Sequence, residues 1–158
     1  MEKTSLEKLK KQYVPLQKKY KLPSFLELNK EFDIEKIQEH ETDFLLREIR
    51  RTMGEKMSAF LRFFETILNP VMAPVFILTS LKNLNAYDKD LIEKKYKVLV
   101  SLELRSIGLD IENNEKKEAA FIQETLKKWK EMKQEIQQII DDLTKIQAHS
   151  EKKGSYFG

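Results

Sequence analysis

No cysteine occurs in the 158 residues, and glycine and proline number four each. Without thiols the chain can form no disulfide, no zinc–thiolate or iron–sulfur site, and no thiol nucleophile. A reducing, cytoplasmic setting is the natural expectation. With glycines only at 54, 108, 154 and 158, neither a glycine-rich phosphate loop nor a nucleophile elbow can be assembled. So few turn formers also argue against a β-sandwich, which needs a turn every several residues. Long apolar runs are missing as well. The most apolar window, residues 71–81, contains Pro74 and falls short of the ~20 apolar residues that span a bilayer. The first residues lack the apolar core of a secretory signal.

Charge is what the chain has in plenty. Charged residues make up 35% and hydrophobic residues 41%, a balance that suits long solvated helices. The length suits one domain with a real core. The net charge of +3 is unevenly spread, because residues 1–21 hold seven lysines against two glutamates. Positive charge is therefore expected on a terminal arm rather than on the folded body.

Spacing of apolar residues predicts the helices. Thr4 and Glu7 stand at capping-box spacing, so a short helix starts near Ser5, and Pro15 is expected to interrupt it. Ser24 and Glu27 form a second such pair ahead of Phe25, Leu28 and Phe32. Leu46, Ile49, Met53, Phe60, Phe64 and Ile67 recur at three- and four-residue steps and predict a central helix over 42–68, with Gly54 tolerated through a close helix crossing. Asn69-Pro70 stops it. Residues 75–84 are apolar nearly all round, the pattern of a buried helix. Asn85 or Asp88 caps the next helix, Gly108 ends it, and Asn113-Asn114 caps a last helix reaching about His149. That helix carries Trp129, Met132, Ile136, Ile139, Leu143 and Ile146 at alternating three- and four-residue steps, a heptad seam. The expected fold is all-α: a single-domain bundle of four to six helices with a long C-terminal helix. The organisation reads as a basic N-terminal arm or short helix over 1–21, a helical bundle over 22–149 and a flexible tail over 150–158.

Few constellations carry chemistry. A carboxylate-bridged metal pair in a bundle needs Glu-x-x-His, but isoleucines, Ile37 and Ile146, stand three residues before His40 and His149. No metal, cofactor or catalytic residue is expected. Glu39, His40, Glu41 and Asp43 read as the acidic first turn of a helix, since neighbours on a helix point in different directions. Arg47, Arg50, Arg51 and Arg62 could grip an anion, yet Asp43, Glu55 and Glu65 lie at pairing distance along the same helix; a solvated or bundle-bridging polar stripe is the simpler reading. Lys8, Lys10, Lys11, Tyr13, Lys18, Lys19, Tyr20 and Lys21 form the best candidate for binding nucleic acid or another anion, with lysines on phosphate and tyrosines stacking on bases. The competing reading is a solvated helix with Leu6, Leu9, Tyr13 and Leu16 packed home. Ile136, Ile139, Leu143 and Ile146 form a candidate seam for a partner helix or for self-association, against the alternative that the first half of the seam packs within the chain.

Residues 22–32 (Leu-Pro-Ser-Phe-Leu-Glu-Leu-Asn-Lys-Glu-Phe) and 41–51 (Glu-Thr-Asp-Phe-Leu-Leu-Arg-Glu-Ile-Arg-Arg), together with Ala119-Ala-Phe-Ile122, resemble uncharacterised small helical proteins encoded in archaeal genomes. The resemblance spans about half the chain. It implies an all-helical fold and an archaeal origin, and it assigns no functional residue. A non-enzymatic interaction or regulatory protein is the leading functional expectation, and a nucleic-acid- or ribosome-associated protein the second.

Overall fold

The computed structural model describes residues 2–82 and 84–154, and the side chains of 5–82 and 84–144. The described chain is all-α and without strands: α1 (Glu2–Tyr20), α2 (Phe25–Phe32), α3 (Leu45–Leu68), α4 (Val75–Leu81), α5 (Ala86–Glu112) and α6 (Glu115–Gly154), with 3-10 turns at Ile34–Glu39 and Pro70–Met72. The α-helices reach the top of the expected number, and the 3-10 turns take the helical elements past it. α6 is the long C-terminal helix. Ile146, the one seam residue beyond Leu143, and the whole of the expected tail over 150–158 lie outside the described side chains.

The caps follow the sequence. Ser24 accepts from the Glu27 amide at 3.2 Å, Asn85 and Asp88 bond each other's amides reciprocally, and the Asn114 side chain accepts from Lys117 at 3.1 Å. Each offers a side-chain oxygen to an amide that the first helical turn leaves without a partner. Several local expectations fail. α3 begins at Leu45 rather than at 42, so Glu39, His40, Glu41 and Asp43 precede it and do not form its first turn. Pro15 lies inside α1 rather than ending it; the proline is exposed, and the helix is held by the burial of Leu9 and Tyr13 on its other side. Gly108 does not end α5. It has no positive φ, and the left-handed residue that turns the chain is Asn113 at φ 51°, an asparagine that tolerates this conformation. Space does not demand a glycine at position 54, where an added Cβ would meet Ser106 Oγ at an ordinary 3.6 Å.

The residues divide into two compact units, one of residues up to Ser58 with Ser101–Lys128, the other of Ala59–Val100 with residues from Trp129 onward. In the first, α1 and α2 both pack against the first 3-10 turn, and the core gathers Leu9, Tyr13, Leu28, Ile34, Ile49 and, from α6, Phe121 among others. The positive arm is thus a helix of this unit. Tyr13 is fully buried, donates its hydroxyl to the Pro23 carbonyl and meets Phe25 edge-on at 5.9 Å. In the second unit Phe64, Ile92, Leu99, Met132, Ile136 and Ile139 are buried, and Phe60 lies against Trp129 with ring centres 5.3 Å apart.

Helix α4 departs furthest from expectation. Its two turns carry apolar groups on every side, but a helix that short turns only one side inward. Ser80 is buried, while Val75, Phe76 and Leu78 are exposed, Phe76 to 60%, as are Val71 and Met72 of the preceding 3-10 turn, Met72 to 92%.

Candidate functional site

Two regions concentrate features that folding alone leaves unexplained. The first is the polar interior of the first unit. Arg50, 1% exposed, donates Nε to Glu118 Oε2 at 2.5 Å, one terminal nitrogen to Asp110 Oδ1 at 2.5 Å, and the other to the Ser106 carbonyl and hydroxyl at 2.8 and 2.9 Å. Burial alone would favour neutral Arg50, but its hydrogen bonds to Glu118 and Asp110 outweigh this and hold the guanidinium above its usual pKa. The hydrogen bond from Arg50 lowers the Asp110 carboxyl in turn, with Arg51 adding to the effect. The arginine stripe therefore bridges helices: Arg51 reaches Asp110 as well as Glu48 at 3.3 Å, and Glu55, expected beside Arg51, pairs with Lys36 at 2.8 Å.

Beside this network a cleft of about 210 Å³ is lined by Asp43, Phe44, Arg47, Asn113, Glu115 and Glu118, with Leu46 and Asn114 completing it. The Arg47 guanidinium lies over the Phe44 ring at 5.8 Å and donates to Asn113 Oδ1 at 3.1 Å. Its Nε stands 4.0 Å from Glu118 Oε1, beyond hydrogen-bond reach. That oxygen is buried and has no hydrogen-bond partner. A second cleft, about 330 Å³, brings Lys8 together with Gln12, Gln38, His40, Glu41 and Asp43. His40 is exposed there. Among the described residues no three His, Asp or Glu side chains are grouped to hold a metal.

The expected basic site is brought together only in part. Lys8, Lys10, Lys11, Lys18, Lys19 and Lys21 are exposed on or at the end of α1, but Lys10 lies over Phe25 at 5.7 Å and Lys19 pairs with Glu115 at 3.4 Å. Neither tyrosine offers the expected free stacking face: Tyr13 is in the core, and Lys19 lies over the Tyr20 ring at 5.0 Å while the Tyr20 hydroxyl donates to Glu115 at 2.7 Å. Burial pushes the Tyr13 phenol well above its ordinary range, with Glu27 adding to the shift.

The second region belongs to the second unit. Residues 66–81 contain no charged side chain, and the three hydroxyls among them bond to the backbone of their own helix. Thr66 donates to the Arg62 carbonyl, and Thr79 and Ser80 donate to that of Phe76, at 2.8–3.0 Å. Beside the exposed apolar side chains lies a cleft of about 170 Å³ lined by Phe63, Ile67, Phe76, Ile77, Ile140 and Leu143, with Ser80 and Thr144 at its polar end. Ile136 and Ile139 are buried in the core of this unit and are therefore closed to a partner. Of the expected seam, Leu143 alone among the described side chains borders open space. The clue missed in the sequence is the charge-free run itself, which reads equally well as core. A further exposed strip, Leu104, Ile107 and Ile111, runs along α5 in the first unit.

No family model matches the chain, and no curated protein or solved structure matches it either. Among the described residues no helix is long and apolar enough to cross a membrane.

Proposed function

We propose that the chain is a non-enzymatic, cytoplasmic interaction protein whose second unit receives an amphipathic helix of a protein partner through its apolar face. The observation that carries this reading is the exposed set Val71, Met72, Val75 and Phe76 beside the cleft of Phe63, Ile67, Ile140 and Leu143. Monomeric proteins rarely leave a contiguous apolar surface of this kind open, and grooves between helices accept the apolar face of another helix. A 170 Å³ cleft suits one large aliphatic or aromatic anchor at the centre of such an interface. The partner's docking face is uncharged, matching residues 66–81. Charge argues against an anionic bilayer as the occupant, since Glu65 is exposed and Asp141 and Asp142 follow Ile140 on the turn that lines the cleft.

A photoreactive side chain placed at Val75 tests this. We expect one discrete protein to be cross-linked in extracts of the native host, no cross-link from a control probe at exposed Lys94, and loss of the product with Phe76→Ser. Cross-linking of the chain to itself, or flotation with phosphatidylglycerol vesicles that Phe76→Ser abolishes, would contradict the reading.

The exposed lysines of α1 favour a second reading, a contact with nucleic acid. Without tyrosine stacking that contact would be to phosphate alone, so affinity should fall steeply with salt and be indifferent to base sequence.

A further inference from the structure

Glu118 is a buried carboxylate with one satisfied oxygen and one orphan. Its side chain is 4% exposed, Oε2 is taken by Arg50, and Oε1 has no donor. A buried acceptor left without a donor is costly, more so when charged; the nearest cation, Arg47, is an ion-pair partner of Oε1 at 4.0 Å but makes no hydrogen bond to it, so a donor position stays open. The cleft over Glu118 shows what kind. Arg47 Nε, a donor, and Glu118 Oε1, an acceptor, face each other at 4.0 Å without bonding. The same cleft holds the start of α6, where Asn114 caps the helix and the helix dipole favours a negative group. Asp43 and Glu115 bring the carboxylates of the lining to three, with Glu115 already held by Tyr20 and Lys19. Positive and negative recognition elements thus stand side by side in about 210 Å³.

From this geometry we infer a binding site for a small zwitterion, a free α-amino acid, with its ammonium on Glu118 and Asp43 and its carboxylate on Arg47 and the α6 N-terminus. An α-amino acid carries its ammonium and its carboxylate on one carbon, so a donor and an acceptor that stand close together, as Arg47 and Glu118 do, can hold both ends. Charge-assisted hydrogen bonds at both ends give the site its strength. Phe44, 57% exposed, offers an apolar surface to the side chain of the ligand. Glu118 Oε1 is out of reach of bulk water, and the partly exposed Arg47 is the side chain whose turning admits the ligand. Asn113, held left-handed at φ 51°, keeps its Oδ1 on Arg47 and so positions that gate. The site lies wholly within the first unit and is independent of the apolar face proposed above.

Titration of the full chain with L-leucine, L-alanine, L-leucinamide and N-acetyl-L-leucine, followed by amide resonances and calorimetry, tests the site. We expect saturable shifts at residues 43–47 and 113–118 with the two free amino acids, and affinity at least about tenfold weaker when either the ammonium or the carboxylate is masked. Glu118→Gln should abolish binding. Because that change also disturbs Arg50, Arg47→Gln and Asp43→Asn serve as folded variants, verified by unchanged circular dichroism. Arg47→Gln should weaken binding about tenfold and Asp43→Asn by a smaller factor. No saturable shift with either amino acid would overturn the inference, leaving solvent as the sole occupant. Binding of L-leucinamide as tight as that of L-leucine, or binding unchanged in Arg47→Gln, would overturn it equally.

Discussion

Removing the Arg50 guanidinium leaves the buried Glu118 carboxyl without its hydrogen-bond donor and takes one from Ser106 and Asp110 as well. Breaking a buried pair in this way costs about 3–5 kcal/mol, so Arg50→Met should lower the urea midpoint sharply. Arg50→Met combined with Glu118→Leu should recover most of the loss, because the pair's attraction largely offsets its own desolvation. A double variant as unstable as the single one would mean that the arginine acts through Ser106 and Asp110 instead. The sequence shows Arg50 only as one of a stripe. Local spacing proposed partners for Arg47, Arg51 and Arg62 but none for Arg50, whose partners in the fold, Asp110 and Glu118, are separated from it by 60 and 68 residues. No periodicity reports a contact of that range. The same is true of the cleft at Glu118: Asp43, Arg47 and Asn113 are each ordinary in the chain and meet only through packing.

The starts of α2, α5 and α6 were legible because a cap is a local device, whereas α1 and α3 begin at Glu2 and Leu45 rather than near Ser5 and at 42. Ser24, Asn85 and Asn114 each satisfy an amide three residues on, and that spacing is visible in the chain. Helix ends were less legible. Pro15 and Gly108 disfavour a helix by local energetics, but tertiary burial of Leu9 and Tyr13 in α1 and of Leu102 and Leu109 in α5 carries both helices through. The local cost should still be present in the folded protein. Gly108→Ala, with nothing within 4 Å of the added methyl, should stabilise by up to about 1 kcal/mol, and Pro15→Ala by about 1–3 kcal/mol. Thermal unfolding of the two variants checks this; a fall in midpoint for either would show that the residue has a packing role its surroundings do not reveal.

At the scale of the whole chain, the all-α architecture was readable from apolar residues recurring every three or four positions, reinforced by the scarcity of glycine and proline. The fate of residues 66–81 was not. Apolar composition states a preference for burial, but burial also needs a surface to cover, and the two turns of α4 find one for Ser80 and Ile77 more than for Val75 or Phe76. The heptad seam of α6 divides for the same reason: its earlier members have neighbours within the second unit, while Leu143 borders the cleft.

The openness of that apolar face is best measured through the methionine methyl groups. Met53, Met57 and Met132 are buried, and Met72 is almost fully exposed. With methyl-labelled methionine and a soluble paramagnetic relaxation agent, we expect the Met72 resonance of the isolated chain to broaden strongly while the other three stay sharp. A Met72 signal as well protected as that of Met53 would show that the face is already covered, and the proposed docking surface would not exist.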